Sequence, residues 1–134
     1  MSADIEVKYQ GDLYCDINYL PGDYQIKTSV KNNDFFSPVD LLAAALASCT
    51  VSNVAYSAEG RMPIDTKDIS ATVEKSVEDK PVPHVSALKV TVTIKNSGQL
   101  SDKDKMILEK SADTCKVRNS IYKQIDITSE IVFA

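Results

Sequence analysis

The first third of the chain alternates apolar and polar residues with a period of two, which is typical of β-strands. Three such segments follow one another: Ile5–Tyr9, Leu13–Tyr19 and Tyr24–Ser29. Short polar segments rich in Gly, Pro and Asp separate them at residues 10–12 and 21–23, where turns are expected. The pattern therefore predicts a three-stranded meander.

A long apolar segment comes next and carries helix signals at both ends. Ser37 suits the N-cap, Pro38 suits the first helical position, and Asp40 completes a Ser-x-x-Asp capping box. Gly60 is typical of a residue just beyond a helix end. The twenty or so residues between them predict a helix of roughly 30 Å. Residues 41–47 are apolar all around the helix, which indicates a long central helix buried on every side.

One chain of this size offers too few residues to surround such a helix, so we expect a homodimer whose partner covers its remaining side.

Alternation of apolar and polar residues resumes at residues 69–74 and 88–94, and a final strand is predicted at 125–133. Between them, Ser101 opens a second helix with another Ser-x-x-Asp box. The order of elements predicts an α+β fold with antiparallel sheets and segregated helices, in a single domain over residues 1–134.

Two cysteines stand out as candidate chemistry. Cys49 lies about three turns into the long helix, and Cys115 lies near the end of the second predicted helix. Either alone would be read as a small buried hydrophobe. Together, without Cys-x-x-Cys spacing, they favour a redox pair over a metal site, and we expect no metal. Cys15 lies on the apolar face of a strand and is expected in the core, whereas His84 is expected in a solvated loop.

Composition and charge narrow the functional classes. The chain has 134 residues, 43% of them hydrophobic, which suffices for one compact core. Its net charge of −4 argues against binding nucleic acid or an anionic membrane. We expect no membrane span because no apolar run reaches about 18 residues. The N-terminal residues lack the features of a signal peptide, so a reducing, cytoplasmic location is expected.

The segments around the two cysteines, Ser37–Thr50 and Cys115–Ile121, together with the Leu-Ser start of the second helix, resemble the OsmC/Ohr superfamily. The resemblance implies an intertwined homodimer with two active sites at the interface. It also implies a thiol peroxidase that reduces small organic hydroperoxides. Cys49 would then attack the peroxide and Cys115 would resolve the sulfenic acid as a disulfide, which an external dithiol reductant reopens. No cofactor is implied.

The chain departs from the peroxidase pattern at the groups that activate the thiolate. Those peroxidases use an arginine from the N-terminal strands and a glutamate after the helix-start proline, where this chain has Val39. Asp40, one residue later, fits the less characterised OsmC-like branches and acts first as a helix cap. Four basic residues remain as candidates for stabilising the thiolate: Lys27, Lys31, Arg61 and Arg118.

Two other functions stay open beside the thiol-dependent hydroperoxide reductase. The missing arginine favours a non-catalytic OsmC-fold protein that binds a small apolar or thiol-reactive ligand at the dimer interface. A redox sensor whose partner affinity changes when its cysteines join is the third hypothesis.

Overall fold

The computed structural model describes residues 2–134, which form six strands and three α-helices. The strands are β1 (Ile5–Gly11), β2 (Tyr14–Tyr19), β3 (Tyr24–Ser29), β4 (Ile69–Glu78), β5 (His84–Ile94) and β6 (Asp126–Phe133). The helices are α1 (Pro38–Ala58), α2 (Asp102–Ala112) and α3 (Lys116–Ile121). Two three-stranded sheets, β1-β2-β3 and β4-β5-β6, confirm the predicted α+β class.

The chain forms two compact units, the first ending at Leu42 and the second comprising Ala43–Ala134. In the first unit, β1 to β3 form the predicted antiparallel meander, with Val7 opposite Ile17 and Ile17 opposite Ile26. The expectation of a single domain over residues 1–134 stays a prediction.

The meander carries nearly all of its apolar side chains on one face. By alternation and register this apolar meander face comprises Ile5, Val7, Tyr9, Cys15, Ile17, Tyr19, Tyr24 and Ile26. Most of these residues are exposed in the single chain, Tyr24 by 72%. Cys15 is half-buried, so the expectation that it lies in the core is wrong, because the face that carries it is largely open in the single chain.

Helix α1 begins with the predicted capping box. The Ser37 hydroxyl accepts from the backbone N–H of Asp40 at 3.1 Å, and the Asp40 carboxylate accepts from the N–H of Ser37 at 3.1 Å. Beyond the end of the helix, Gly60 adopts a φ of +70°, a left-handed conformation that glycine accepts without strain. Both ends of the helix thus follow the signals in the sequence.

Within a single chain, α1 is buried along one line of residues rather than on every side. The line has helical spacing and consists of Ala43, Leu46, Thr50, Val54 and Ala58. On the other side Tyr56 is 76% exposed, and Ala45, Ser48 and Ser52 are exposed too.

The length and composition of α1 would let it cross a bilayer. Core helices of globular proteins have the same length and composition, so the expectation of no membrane span stays a prediction. The apolar residues of the buried line of α1 belong to the core of the second unit, as in the central helix of a globular protein.

The core of the second unit is built around β5, the middle strand of its sheet. Leu88, Val90, Val92 and Ile94 alternate along β5 and are at most 1% exposed. The same apolar cluster includes Leu108 of α2 and the apolar residues of the buried line of α1, Ala43, Leu46, Val54 and Ala58. A hydrogen bond of 2.5 Å between the hydroxyls of Ser57 and Ser111 also links α1 to α2.

Strand β6 pairs parallel with β5, with Ile131 opposite Val92, whereas antiparallel sheets were expected. The sheet is mixed, because β4 and β5 are antiparallel. Helices α2 and α3 lie between β5 and β6 in the chain, and a crossover of this length is what parallel neighbours require. Alternation along a strand carries no information about the direction of its neighbour.

The second predicted helix is broken in two. Helix α2 has the predicted box, in which the Ser101 hydroxyl accepts from the N–H of Asp104 at 3.0 Å, but it ends at Ala112. The hydroxyl of Thr114 donates to the carbonyl of Ser111 at 2.8 Å, and such a side-chain bond competes with helix continuation. Cys115 is therefore the N-cap of α3, not a residue near a helix C-terminus.

His84 is the first residue of β5, whereas a solvated loop was expected. The expected loop is shorter than the sequence suggested, because β4 continues to Glu78 and β5 begins at His84. Its imidazole lies 2.7 Å from the carbonyl of Val82 and 3.6 Å from the carboxylate of Glu78. These contacts belong to the β4–β5 hairpin.

Candidate active site

The second unit brings Cys49 and Cys115 together although 65 residues separate them in the sequence. Cys49 lies on α1, one turn after Leu46, and the Cys115 sulfur lies 4.0 Å from the carbonyl oxygen of Leu46. Each thiol is among the groups that shift the pKa of the other, so the two side chains are neighbours. Both cysteines are free, Cys49 half-buried and Cys115 completely buried.

The start of α3 orients the Cys115 side chain. Cys115 has an extended backbone conformation, and its sulfur accepts a hydrogen bond from the N–H of Arg118 at 3.3 Å. An N-cap side chain is held in place by this bond to the first turn of the helix. The cap therefore fixes the Cys115 sulfur beside α1.

The surroundings of Cys49 favour its thiolate. Burial raises the pKa of this thiol, but hydrogen bonds from the Cys115 thiol and from the backbone N–H groups of Val117 and Lys116 lower it. The positive charge of Lys116 lowers it further, and together these contributions bring the pKa of Cys49 below its usual value of 9.0. Cys49 is thus the more acidic thiol of the pair.

The surroundings of Cys115 favour its protonated form. Burial raises the pKa of Cys115, and its hydrogen bond to Cys49 and the negative charge on the Cys49 sulfur raise it further. The backbone N–H groups of Arg118 and Val117 offset only part of this rise. The site therefore contains one sulfur whose surroundings favour the anion and a neighbouring thiol whose surroundings favour the protonated form.

The four basic residues named from the sequence contact other groups. In the meander, the Lys27 ammonium lies 2.8 Å from the carboxylate of Asp16, and that of Lys31 lies 2.6 Å from the carboxylate of Asp12. A thiolate-stabilising role for these two lysines stays a prediction.

Each of the two arginines lies over the ring of a nearby tyrosine. The Arg61 guanidinium is 5.8 Å from the ring centre of Tyr56, and that of Arg118 is 5.6 Å from the ring centre of Tyr122. The buried Nε of Arg118 has no hydrogen-bond partner among the described residues. Asp40 forms the α1 capping box, as expected. Roles for these residues in the chemistry of Cys49 also stay predictions.

Sequence reasoning missed Lys116 and Val117. In the single long helix predicted through Cys115, the two residues would lie in its last turns, and their N–H groups would be hydrogen-bonded within the helix. The break before Cys115 instead puts their N–H groups at the start of α3, where such groups are free to meet a sulfur. Lys116 directly follows Cys115, and that adjacency was the one signal available in the sequence.

Within residues 2–134, no three His, Cys, Asp or Glu side chains lie close enough together to hold a metal ion. A cavity of about 600 Å³ in the second unit is lined by Met62, Pro63, Ile64, Asp65, Asp68, Asn96, Gly98 and Gln99. Neither cysteine of the site lines it.

Comparison with solved structures finds this fold in several bacterial proteins. An osmotic stress induced and detoxification response protein from Psychrobacter arcticus is 31% identical, with a TM-score of 0.81, over 100% of this chain and 97% of that chain. An OsmC-like protein from Mycoplasma pneumoniae is 17% identical, with a TM-score of 0.83, over 100% of this chain and 98% of that one. The organic hydroperoxide resistance protein OhrB of Bacillus subtilis is 17% identical, with a TM-score of 0.67, over 95% and 96% of the two chains.

No curated protein matches the chain significantly. The sequence profile of the OsmC-like proteins matches residues 31–130, which include both cysteines of the site. This match covers most of the chain and agrees with the 31% identity to the Psychrobacter protein. The chain therefore belongs to the OsmC-like protein family.

Proposed function

We propose that this protein is a thiol-dependent peroxidase that reduces organic hydroperoxides, with Cys49 as the attacking cysteine and Cys115 as the resolving one. The observation that carries the proposal is the position of the Cys115 sulfur, 4.0 Å from the carbonyl oxygen of Leu46 one turn before Cys49. The pKa values of the two neighbouring thiols are shifted in opposite directions, that of Cys49 down and that of Cys115 up. A peroxidase of this type needs a thiolate to attack and a protonated thiol held next to it.

The proposed cycle uses only these two side chains and an external dithiol. The Cys49 thiolate attacks one peroxide oxygen, the O–O bond breaks, and the alkoxide leaves with a proton as an alcohol. Cys49 is oxidised to a sulfenic acid. The Cys115 sulfur then attacks the Cys49 sulfur, giving up its proton, and the S–O bond breaks to release water and leave a disulfide. The dithiol reduces this disulfide by thiol–disulfide exchange and is itself oxidised.

Family membership supports the same chemistry. Similar structures include proteins described by their organic hydroperoxide resistance, among them OhrB of Bacillus subtilis. Those similarities are below 25% identity and concern the fold, so the proposed activity depends on the two cysteines of this chain. The likeness to these bacterial proteins supports a soluble protein, for which we propose a cytoplasmic location that would keep both thiols reduced between turnovers.

We also propose that the protein acts as a homodimer. The apolar meander face is the support for this proposal, because an exposed apolar surface of this extent is typical of an interaction site. An antiparallel sheet with one polar and one apolar face normally packs the apolar one against another layer. A second copy of the chain would supply that layer.

The peroxidase proposal is tested by peroxide consumption with variants of the three cysteines. With dithiothreitol and tert-butyl hydroperoxide, the wild-type protein should turn over repeatedly, and Cys49→Ser should reduce consumption to the uncatalysed rate. In a single turnover without dithiol, the wild type should form a disulfide. Cys115→Ser should instead stop at a sulfenic acid, which dimedone traps and mass spectrometry detects. Cys15→Ser is the matched control and should leave turnover unchanged.

Unchanged peroxide consumption in Cys49→Ser would rule out the assigned nucleophile. A wild-type protein that consumes no peroxide, but whose melting temperature rises with an apolar thiol-reactive compound, would favour the non-catalytic binding protein.

A further inference from the structure

Helix α3 is short and depends on its N-cap. It has six residues, and its two apolar side chains, Val117 and Ile121, are only partly buried against the core of the second unit. Helices of this length are marginal without contacts from outside the helix. The Cys115 sulfur accepts from the N–H of Arg118 at 3.3 Å, and the Cys115 carbonyl accepts from the N–H of Asn119 at 2.9 Å. Cys115 therefore closes the first turn of α3.

The same sulfur also faces α1. It lies 4.0 Å from the carbonyl oxygen of Leu46, which accepts from the Thr50 hydroxyl at 2.8 Å. A carbonyl in an α-helix points along the axis toward the residues three and four positions further on, which here are Cys49 and Thr50. The Cys115 sulfur thus lies between the first turn of α3 and the turn of α1 that carries Cys49.

Formation of a disulfide sets these two positions of the sulfur against each other. Cys49 and Cys115 are free thiols, and their sulfurs must approach to about 2.05 Å, with a dihedral angle of about 90° across the bond, to be joined. Cys49 lies within a helix of 21 residues that contributes to the core, whereas Cys115 lies between α2 and the short α3. Cys115 is the easier of the two to displace, and a shift of its sulfur toward α1 takes the sulfur away from the N–H of Arg118.

We propose that the Cys115 sulfur is a redox-dependent N-cap, which holds α3 in place as a thiol and releases it when it forms a disulfide with Cys49. The inference rests on the proposed function, in which a hydroperoxide is the oxidant. The two thiols lose two protons and two electrons as the S–S bond forms, and the hydroperoxide takes them up as its O–O bond breaks to give an alcohol and water. Because Cys115 is completely buried beside the capped α3, release of α3 opens this sulfur to the dithiol that restores the thiols.

Hydrogen exchange of the α3 amides, measured by mass spectrometry on a peptide covering residues 114–124, tests the proposal. The parent protein carries Cys15→Ser, which leaves the two cysteines of the site as its only thiols. Diamide forms the disulfide and takes up the two protons and two electrons itself. Oxidation should speed exchange of the α3 peptide by about fivefold, the change expected from loss of one N-cap. The α2 peptide, residues 102–112, keeps its Ser101 cap and should exchange at an unchanged rate.

Three variants of the parent separate loss of the cap from other effects of oxidation. Cys115→Ala has no capping atom, so its α3 should exchange without oxidant as fast as α3 of the oxidised parent. Cys115→Ser keeps a capping oxygen, so its α3 should exchange as slowly as in the reduced parent and should not respond to diamide. Cys49→Ser keeps the cap and removes the disulfide partner, so its α3 should not respond to diamide either. Far-ultraviolet circular dichroism verifies that each variant is folded.

Equal α3 exchange in the reduced and oxidised parent would overturn the proposal, and so would an equal rise in the α2 and α3 peptides. A diamide-treated parent in which peptide mapping finds no Cys49–Cys115 disulfide would overturn it as well. Because diamide replaces the hydroperoxide, a protein that consumes no hydroperoxide but exchanges faster in α3 after diamide would exclude the peroxidase and retain the redox-dependent cap. Failure of the proposed function and failure of this inference are therefore distinguishable.

Discussion

At the scale of single residues, the two cysteines of the site differ in surroundings rather than in chemistry. Burial raises the pKa of both, but Cys49 receives hydrogen bonds and faces the charge of Lys116, whereas Cys115 donates and faces the charge of Cys49. Because the pKa of Cys49 is lowered, its thiolate is present from a lower pH upward and is lost as the pH falls through that pKa. The protonated thiol of Cys115 persists to a higher pH.

The coupling between the two thiols should appear in both directions. Cys115→Ala removes a hydrogen-bond donor from Cys49 and should raise the pKa of Cys49. Cys49→Ala removes a neighbouring negative charge and should lower the pKa of Cys115. The pH dependence of alkylation, followed separately for each cysteine by mass spectrometry, measures both shifts. Cys115→Ser keeps both a donor and a capping oxygen, so its Cys49 profile should stay near that of the wild type. Identical profiles in Cys115→Ala and wild type would contradict the coupling.

At the scale of elements, helix ends decide where the site residues lie. The capping boxes of α1 and α2 follow directly from Ser-x-x-Asp spacing in the sequence. The start of α3 does not, because a cysteine at the N-cap is outside the usual set of capping residues. The sequence therefore predicted two of the three helix starts, and the missed one determines the surroundings of Cys49.

The α2 box should contribute measurably to stability. Ser101→Ala removes the hydroxyl that accepts from Asp104 N–H and should lower the free energy of unfolding by about 1 kcal/mol. Lys103→Ala, an exposed position two residues further along in the first turn of α2, should change this free energy by less than about 0.5 kcal/mol. Urea unfolding followed by circular dichroism gives both values. Equal effects in the two variants would mean that the box adds nothing to folding.

For the whole molecule, the apolar surface that a single chain exposes to solvent is the reason to propose a homodimer. The apolar meander face is exposed, and so is Tyr56 on α1. These surfaces belong to the two compact units separately, and each is open in the single chain. A solvated apolar surface of this kind favours self-association over a stable monomer.

Val7→Lys places a charge on the apolar meander face and should shift the protein from dimer to monomer, because an unpaired buried charge is strongly unfavourable. Sedimentation velocity or light scattering coupled to size exclusion measures the mass. Gln10→Lys adds the same charge to the same strand outside that face and should leave the mass at twice that of one chain. A wild-type protein with the mass of one chain, 14.7 kDa, would refute the homodimer.

Features that depend on neighbours a few residues apart could be predicted from the sequence. The alternation of the meander, the two Ser-x-x-Asp boxes and the glycine after α1 are of this kind, because their hydrogen bonds and faces lie within one turn or one strand. Family resemblance added the pairing of Cys49 with Cys115 as an expectation. Local pattern alone says nothing about which distant segments meet.

The parallel pairing of β6 with β5 and the meeting of Cys115 with α1 could be read only from the folded chain. Both depend on the path of the chain between segments far apart in sequence. The pKa of a thiol depends on the groups within a few ångströms of its sulfur, and folding alone brings those groups together.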